Sequence, residues 1–236
     1  MTNIKGATAL VTGGQRGLGK AFVQELLDRG VSKVYATARA PKAGGDPRVV
    51  PVTLDVTDAA SVAALTELAG DVSIVINNAG VGGSGSLLGS TIDDVRTVFE
   101  TNLYGAIRVA QAFAPALERN GGGVLVDIHS ALSWIAGAGA YGASKAALWS
   151  ATNSLRMELT PQGTQVVGVH LGYADTDLTA AVTAPKLDPR DVARLVADGI
   201  ENGSSEVLVD DVSRYFKQAL AGPVEGLSPA AAAAAR

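Results

Sequence analysis

Two side chains four positions apart, in the run Tyr141-Gly-Ala-Ser-Lys145, are the strongest candidates in this chain for proton chemistry. On a helix, residues four apart share a face with about 5–6 Å between their Cβ atoms, so the ammonium of Lys145 comes close to the phenol of Tyr141. A phenol ordinarily titrates near pH ~10. A neighbouring positive charge favours the phenolate and moves the group toward a range where it can give and take protons. Taken alone, such a pair is more often solvated on a helix surface than catalytic. The rest of the chain decides between the two readings.

The elements that must position this pair are legible as alternation. Short β-branched runs at residues 7–11, 33–38, 49–56, 72–76, 124–128, 166–171 and 206–209 predict strands. Between them, helical spacing predicts helices at 20–28, from an N-cap at Asp58 to Gly70, at 92–103 and 104–118 nearly end to end, through Tyr141 and Lys145 to about Leu159, and at 190–200 after Asp188-Pro189. The stretch 40–48, with two prolines and two glycines, is too broken for a helix. Strands separated by helices pair in parallel through right-handed crossovers. The expectation is an α/β fold: one doubly wound domain over residues 1–222, with a seven-stranded parallel sheet and helices on both faces. Residues 223–236, ending in an alanine run, are expected to be a flexible low-complexity tail, frayed or weakly helical, with no functional role.

Composition bounds the function. The 236 residues are 47% apolar, enough for a sizeable core. A formal charge of −4 disfavours nucleic acid or an acidic membrane surface as the main partner. The absence of cysteine removes disulfides, thiolate nucleophiles and Cys-ligated metals. No apolar run reaches membrane-spanning length, and the amino end lacks the pattern of a secretion signal, so a soluble cytoplasmic protein is expected. His129 and His170 fall at the ends of neighbouring strands without a third ligand at recognisable spacing. They are read as satisfied strand-end histidines, and no metal is expected.

The segment Thr12-Gly-Gly-Gln-Arg-Gly-Leu-Gly19 lies between the first strand and the first helix. Backbone N–H groups and the helix dipole favour a pyrophosphate there, although the spacing is not that of the usual G-x-G-x-x-G turn. Asn77-Asn-Ala-Gly80 follows the fourth strand and Ser130 the fifth. All lie at carboxyl ends of strands, where open parallel sheets bind their ligands.

With these residues in this order, over about residues 5–210, the chain resembles the short-chain dehydrogenase/reductase family in its classical form. The resemblance rests on the glycine turn, Asp55-Val56, Asn77–Gly80, Asn102, Ser130, Tyr141 with Lys145, and Leu171-Gly-Tyr-Ala-Asp-Thr176. It implies a Rossmann-type domain in which Tyr141 exchanges a proton with the substrate oxygen while hydride passes between the substrate carbon and a nicotinamide. Lys145 would lower the Tyr141 pKa and hold the nicotinamide ribose, Ser130 would polarise the carbonyl, and Asn102 would anchor a water joining Lys145 to solvent. The implied cofactor contacts are Gly13, Gln15, Arg16, Gly17, Leu18, Gly19, Arg39, Asp55, Val56, Asn78, Ala79, Gly80, Tyr141, Lys145, Gly172, Ala174 and Thr176.

The cofactor is expected to be NADP(H). The second strand ends in Tyr35-Ala-Thr-Ala-Arg39 without the carboxylate that selects NAD, and Arg16 adds a second cation in the glycine turn. The expected reaction is reduction of a ketone or aldehyde to an alcohol. The alternative is a non-catalytic NADP(H)-sensing regulator, against which the joint presence of Ser130, Asn102, Tyr141 and Lys145 argues. Small and apolar residues in a lid at about 177–188 favour apolar or aromatic carbonyl substrates. Resemblance also implies a homodimer or homotetramer joined through the helices at 92–118 and 143–159.

Two departures from the family pattern bear on the site. Ser130 stands only eleven positions before Tyr141, a residue or two short, which leaves Ser133 as its rival. Trp134, in the shortened loop, is read either as a pocket wall or as an ordinary packed aromatic. Leu171 stands where proline is common, which loosens the expected path of the loop after it.

Overall fold

The computed structural model describes residues 3–234. Seven strands, β1 (Thr8–Val11), β2 (Lys33–Ala38), β3 (Val49–Thr53), β4 (Ile74–Asn77), β5 (Val124–Ile128), β6 (Gln165–His170) and β7 (Glu206–Leu208), form one sheet in the order β3-β2-β1-β4-β5-β6-β7. Every pairing is parallel. The strand order reverses between β1 and β4, which opens a crevice above their carboxyl ends.

Because successive strand residues face opposite ways, the sheet supplies two cores. Ala9, Val11, Val34, Ala36, Ile74 and Ile76 point to one face, covered by α1 (Gly17–Asp28) and α6 (Pro189–Glu201). Leu10, Tyr35, Val75 and Leu125 point to the other, covered by α2 (Ala59–Leu68) and the long helices that follow β4 and β5. Burial on both faces explains why Ile74–Ile76 of β4 and Val124–Val126 of β5 read as continuous apolar runs. Pro51 has no N–H to give a ladder, and it is tolerated because β3 is an edge strand. Among the described residues, no helix is long and apolar enough to cross a membrane.

Three features add to or differ from expectation. The two helices expected to abut near Leu103 are one continuous rod: α3 (Ile92–Phe99), a π-helical turn at Glu100–Tyr104, and α4 (Gly105–Arg119). The apolar spacing runs through the turn without a break, so sequence gives no sign of the wider winding. After α5 (Gly139–Leu159), the helix α7 (Asp211–Ala219) was not anticipated, although Asp210 and Ser213 close a capping box at its start. The carboxyl segment, expected to be frayed or weakly helical, forms a short 3-10 turn at Val224–Leu227 and α8 (Pro229–Ala234). Leu227 and Ala231 pack against the buried cluster of Ala131, Trp134, Ile135 and Phe216, and the Ala136 N–H donates to the Leu227 carbonyl at 2.8 Å.

Candidate active site

The strand end of β5 and the first turns of α5 bring the proton-transfer candidates together. Ser130 leaves β5 in extended conformation and caps a 3-10 turn at Ala131–Ser133, its Oγ accepting the Leu132 N–H at 3.1 Å. That oxygen keeps its own hydrogen to give, and the hydroxyl acts on the Tyr141 phenol in the direction that favours the phenolate. Ser133, the rival by spacing, is buried with its hydroxyl unpartnered. Trp134 is 5% exposed and packs inward, stacked on His170 with ring centroids 3.9 Å apart and edge-on to Trp149. The wall reading of Trp134 is therefore replaced by the packing one.

Lys145 follows one turn after Tyr141 and is buried, with its ammonium 6.0 Å from the phenol ring centroid. Nζ donates to the Ile128 carbonyl at 2.7 Å. Burial pushes the Lys145 pKa down to about 8. The Tyr141 pKa is raised by burial, with the Ser130 hydroxyl acting the other way and Tyr173 adding to the rise. This corrects the expectation that Lys145 lowers the Tyr141 pKa: at this distance, with the ammonium bonded to a carbonyl, desolvation of the phenolate dominates.

Asn102 sits in the π-helical turn, a form of winding found frequently at functional sites. Its Oδ1 accepts the Val81 N–H at 2.8 Å, while Nδ2 donates to the Val81 carbonyl and the Ser144 hydroxyl, each at 3.0 Å. Ser144 in turn donates to the Tyr141 carbonyl at 2.7 Å. The turn thus ties the loop after β4 to the helix carrying the phenol. Gly80 runs close beside both groups: a Cβ there would lie 3.3 Å from Asn102 Oδ1 and 3.8 Å from Lys145 Nζ.

The glycine turn forms the other half of the crevice. Gly17, Leu18 and Gly19 open α1, and Arg16 at the N-cap makes no side-chain capping bond. The first N–H groups of the helix therefore have no protein side chain to receive them. Gly17 has φ +50°, and a Cβ on Gly19 would drive into the Gly13 carbonyl, so the close-packed turn leaves its backbone open to a ligand. Thr12 latches the two neighbouring strand ends, its Oγ accepting the N–H groups of Asn78 and Ala79, each at 2.9 Å, while Asn78 Nδ2 donates to the Thr12 carbonyl at 2.9 Å. An uncapped helix start with glycines beneath it fits a pyrophosphate.

The remaining cofactor candidates fall around this turn. Asp55 accepts from Thr57 N–H and Oγ1 at 2.9 and 2.7 Å, and the resulting hydrogen bonds, chiefly that of the side chain, hold its pKa low, with Arg39 contributing. The Val56 carbonyl accepts from Arg108 Nη1 at 2.6 Å. Arg16 and Arg39 are both exposed. Leu171 is buried, and its carbonyl accepts the Ala131 N–H at 2.8 Å. The loop after it is held by Asp210, which accepts the Gly172 N–H at 2.8 Å, and by a bridge between Ala174 and Leu187. Thr176 lies against Gly17, its Cγ2 being 3.3 Å from where a Cβ there would be.

Three features near the site were not legible from sequence. Tyr173 is close enough to act electrostatically on the Tyr141 phenol. Its position between Gly172 and Ala174 was the available signal. Gln15 forms two hydrogen bonds at 2.8 Å with the backbone of Lys42, donating to its carbonyl and accepting its N–H. That clamp brings Lys42 to the end of the site occupied by Arg16 and Arg39, and no local pattern announces it. The third is Thr12, quoted with the glycine turn but not recognised as the latch between strands.

Comparison with known proteins agrees with this geometry. The family model described as short chain dehydrogenase matches residues 7–187. A ketoacyl reductase, HetN, from Nostoc sp. is 32% identical over 232 residues, which cover 89% of this chain and 80% of that protein. The crystal structure of a short chain dehydrogenase from Burkholderia cenocepacia in complex with NADP is 35% identical and superposes with a TM-score of 0.90, covering 96% of this chain and 97% of that one. A short chain dehydrogenase/reductase from Burkholderia phymatum in complex with NAD is 25% identical, with a TM-score of 0.83 over 94% of this chain and 96% of that one. Sheet order, site geometry and sequence likeness over most of the chain make this protein a member of the short-chain dehydrogenase family of oxidoreductases.

Proposed function

We propose that the protein is an NADPH-dependent reductase that converts a ketone or aldehyde into an alcohol, acting on apolar or aromatic carbonyl compounds. The observation that carries this reading is the Ser130, Tyr141, Lys145 and Asn102 constellation beside an uncapped helix N-terminus at the carboxyl edge of the sheet. The cofactor supplies hydride when bound. Gly13, Gly17, Leu18, Gly19, Asn78, Ala79 and Gly80 would hold its phosphates and neighbouring ribose, with Gln15, Asp55 and Val56 at the adenosine end and Gly172, Ala174 and Thr176 at the nicotinamide end. Ser130 donates its hydroxyl hydrogen to the substrate oxygen and stabilises charge gathering there. Tyr141, kept neutral by burial, is the proton donor to that oxygen. Lys145 places a positive charge behind the phenol, and Asn102 fixes the helix turn and loop around it.

Arg16, Arg39 and Lys42 support selection of the 2′-phosphate, and the NADP found in the Burkholderia cenocepacia relative agrees. The exposed Leu178 in the segment after β6 supports an apolar substrate. Exposed Tyr104 and Met157, on the rod of α3 and α4 and on α5, support association of subunits through these helices. A soluble, cytoplasmic homo-oligomer is the form we propose.

Loss of NADPH absorbance in the presence of aryl ketones, aliphatic aldehydes and aldoses tests the activity, and aryl ketones are expected to turn over fastest. Faster turnover of the sugars overturns the substrate class. Ser130→Ala is expected to lower kcat by about 10²–10³, the range for one lost oxyanion donor, with Ser133→Ala close to wild type. The reverse order would assign the polarising role to Ser133.

A further inference from the structure

Behind Ser130 runs a buried line of polar side chains that the proposed chemistry does not use. Asn77 Nδ2 donates to Asp127 Oδ1 at 2.9 Å. Asp127 Oδ2 is 2.8 Å from Thr152 Oγ1, which is 2.8 Å from His129 Nε2. His129 Nδ1 is 3.0 Å from His170 Nε2, and His170 Nδ1 is 3.2 Å from the Ser130 carbonyl oxygen. Asp127, Thr152, His129 and His170 are each no more than 1% exposed.

Counting hydrogens sets the direction of this line. Beyond Asn77 there are five contacts, the fifth being Thr152 Oγ1 to the Leu148 carbonyl at 2.8 Å. With both imidazoles neutral, Thr152 and the two rings supply one hydrogen each. If Asp127 is ionised, at least two contacts join acceptor to acceptor, or else a ring must carry a buried charge. If Asp127 is protonated, one arrangement satisfies every side-chain atom. Asp127 donates to Thr152, Thr152 to His129 Nε2, His129 Nδ1–H to His170 Nε2, and His170 Nδ1–H to the Ser130 carbonyl. The contact left without a hydrogen is that to Leu148, whose carbonyl faces the Thr152 N–H in α5. Any other placement either orphans a buried ring nitrogen or leaves the Asp127 Oδ2 carboxylate oxygen facing the Thr152 oxygen with no hydrogen between them.

We propose that Asp127, Thr152, His129 and His170 form a one-way hydrogen-bonded chain, with Asp127 as a neutral acid, that fixes the Ser130 carbonyl and makes His170 a positioning residue for the Ser130 hydroxyl. The same carbonyl accepts the Ser133 N–H at 3.0 Å, so the chain supplies the second bond that sets the tilt of the 3-10 turn. His170 is itself oriented by its stack on Trp134. Burial raises the Asp127 pKa, against the hydrogen bond from Asn77, and pushes the His170 pKa down to about 3 and that of His129 well below its ordinary value. The charged groups around the chain are Lys145 and Arg156 from α5, Lys217 from α7, and Glu206 from β7, with Glu206 3.8 Å from His170 Nε2 and paired to Lys217 at 2.7 Å.

The role assigned to His170 rests on the reading of Ser130 as carbonyl-polarising donor, so the test has an arm independent of turnover. The infrared difference spectrum between wild type and Asp127→Asn is expected to show a protonated-carboxyl stretch at pH 7, and an ionised-carboxylate band in its place overturns the chain direction. In kinetics, Asp127→Asn keeps both hydrogen bonds in their directions and is expected to stay within about threefold of wild-type kcat. Asp127→Val and His170→Phe each remove a link and are expected to lower kcat about tenfold, the equivalent of one hydrogen bond, with the dissociation constant for NADPH unchanged. His170→Phe retains an aromatic ring against Trp134, and circular dichroism checks its fold. Wild-type kcat in a folded His170→Phe, or an Asp127→Asn as impaired as Asp127→Val, overturns the positioning role. Should the wild type bind NADPH without turnover, the proposed function and with it the role of His170 fall, while the infrared arm still decides the direction of the chain.

Discussion

Replacing Tyr141 by Phe is expected to lower kcat by about 10²–10⁴, the range for loss of a general acid, while the dissociation constant for NADPH stays close to wild type. The substitution keeps the ring in the first turn of α5 and removes only the hydroxyl. Near-normal turnover in Tyr141→Phe would sink the mechanism. The pH profile follows from the neighbouring charge. Lys145, lowered by burial to about 8, is charged below that pH and neutral above it. If its charge supports the reaction, kcat/KM for carbonyl reduction is flat from pH 6 to about 8 and declines above, while the Tyr141 proton, whose pKa is raised, is retained throughout this range. A profile that rises through pH 8 would mean that a phenolate is the active form.

Exchanging Arg39 for Asp and Arg16 for Ser is expected to move cofactor preference by about 100-fold or more, from NADPH toward NADH. Charge-assisted hydrogen bonds contribute about 1.5–3 kcal/mol each. Both arginines are exposed, so discounting each to roughly 1.4 kcal/mol, or tenfold, gives the expected product. Part of this preference is screened attraction to a doubly charged group, so it should shrink at high salt. The readout is the ratio of kcat/KM for the two cofactors together with direct binding by protein fluorescence. Equal values in the unmodified protein would refute the selection by Arg16 and Arg39 and leave the assignment of Tyr141 untouched.

The parts of the site that lie in short contiguous motifs were legible in the sequence, and those assembled from distant residues were not. The limits of β2 and β5 and the end of α5 at Leu159 could be read from β-branched runs and from Pro161, because local sterics set them. The π-helical turn around Asn102 was hidden because the apolar pattern crosses it without interruption. Docking of Leu227 and Ala231 depends on a cluster built by Trp134 and Phe216, residues far from them in the chain. The charge environment of Tyr141 was misjudged for a related reason: spacing puts Lys145 on the correct face, but only the packed structure shows its ammonium bonded to the Ile128 carbonyl and burial outweighing it. His129 and His170 were read as satisfied strand-end residues. Their hydrogen bonds to each other and to Thr152 could not be foreseen, because adjacency of β5 and β6 and the overlying face of α5 create them.

The central claim is that hydride passes from NADPH to a carbonyl carbon in this site while Tyr141 delivers the proton. Incubation with NADPH carrying deuterium at both C4 positions and an aryl ketone, followed by mass spectrometry of the product, tests it directly. The account predicts an alcohol with one deuterium on the carbinol carbon from the wild type, formed at least 100-fold more slowly by Tyr141→Phe. Tight binding of the labelled cofactor with neither deuterium transfer nor alcohol formation, across ketones and aldehydes alike, would contradict it and identify the protein as a dinucleotide sensor.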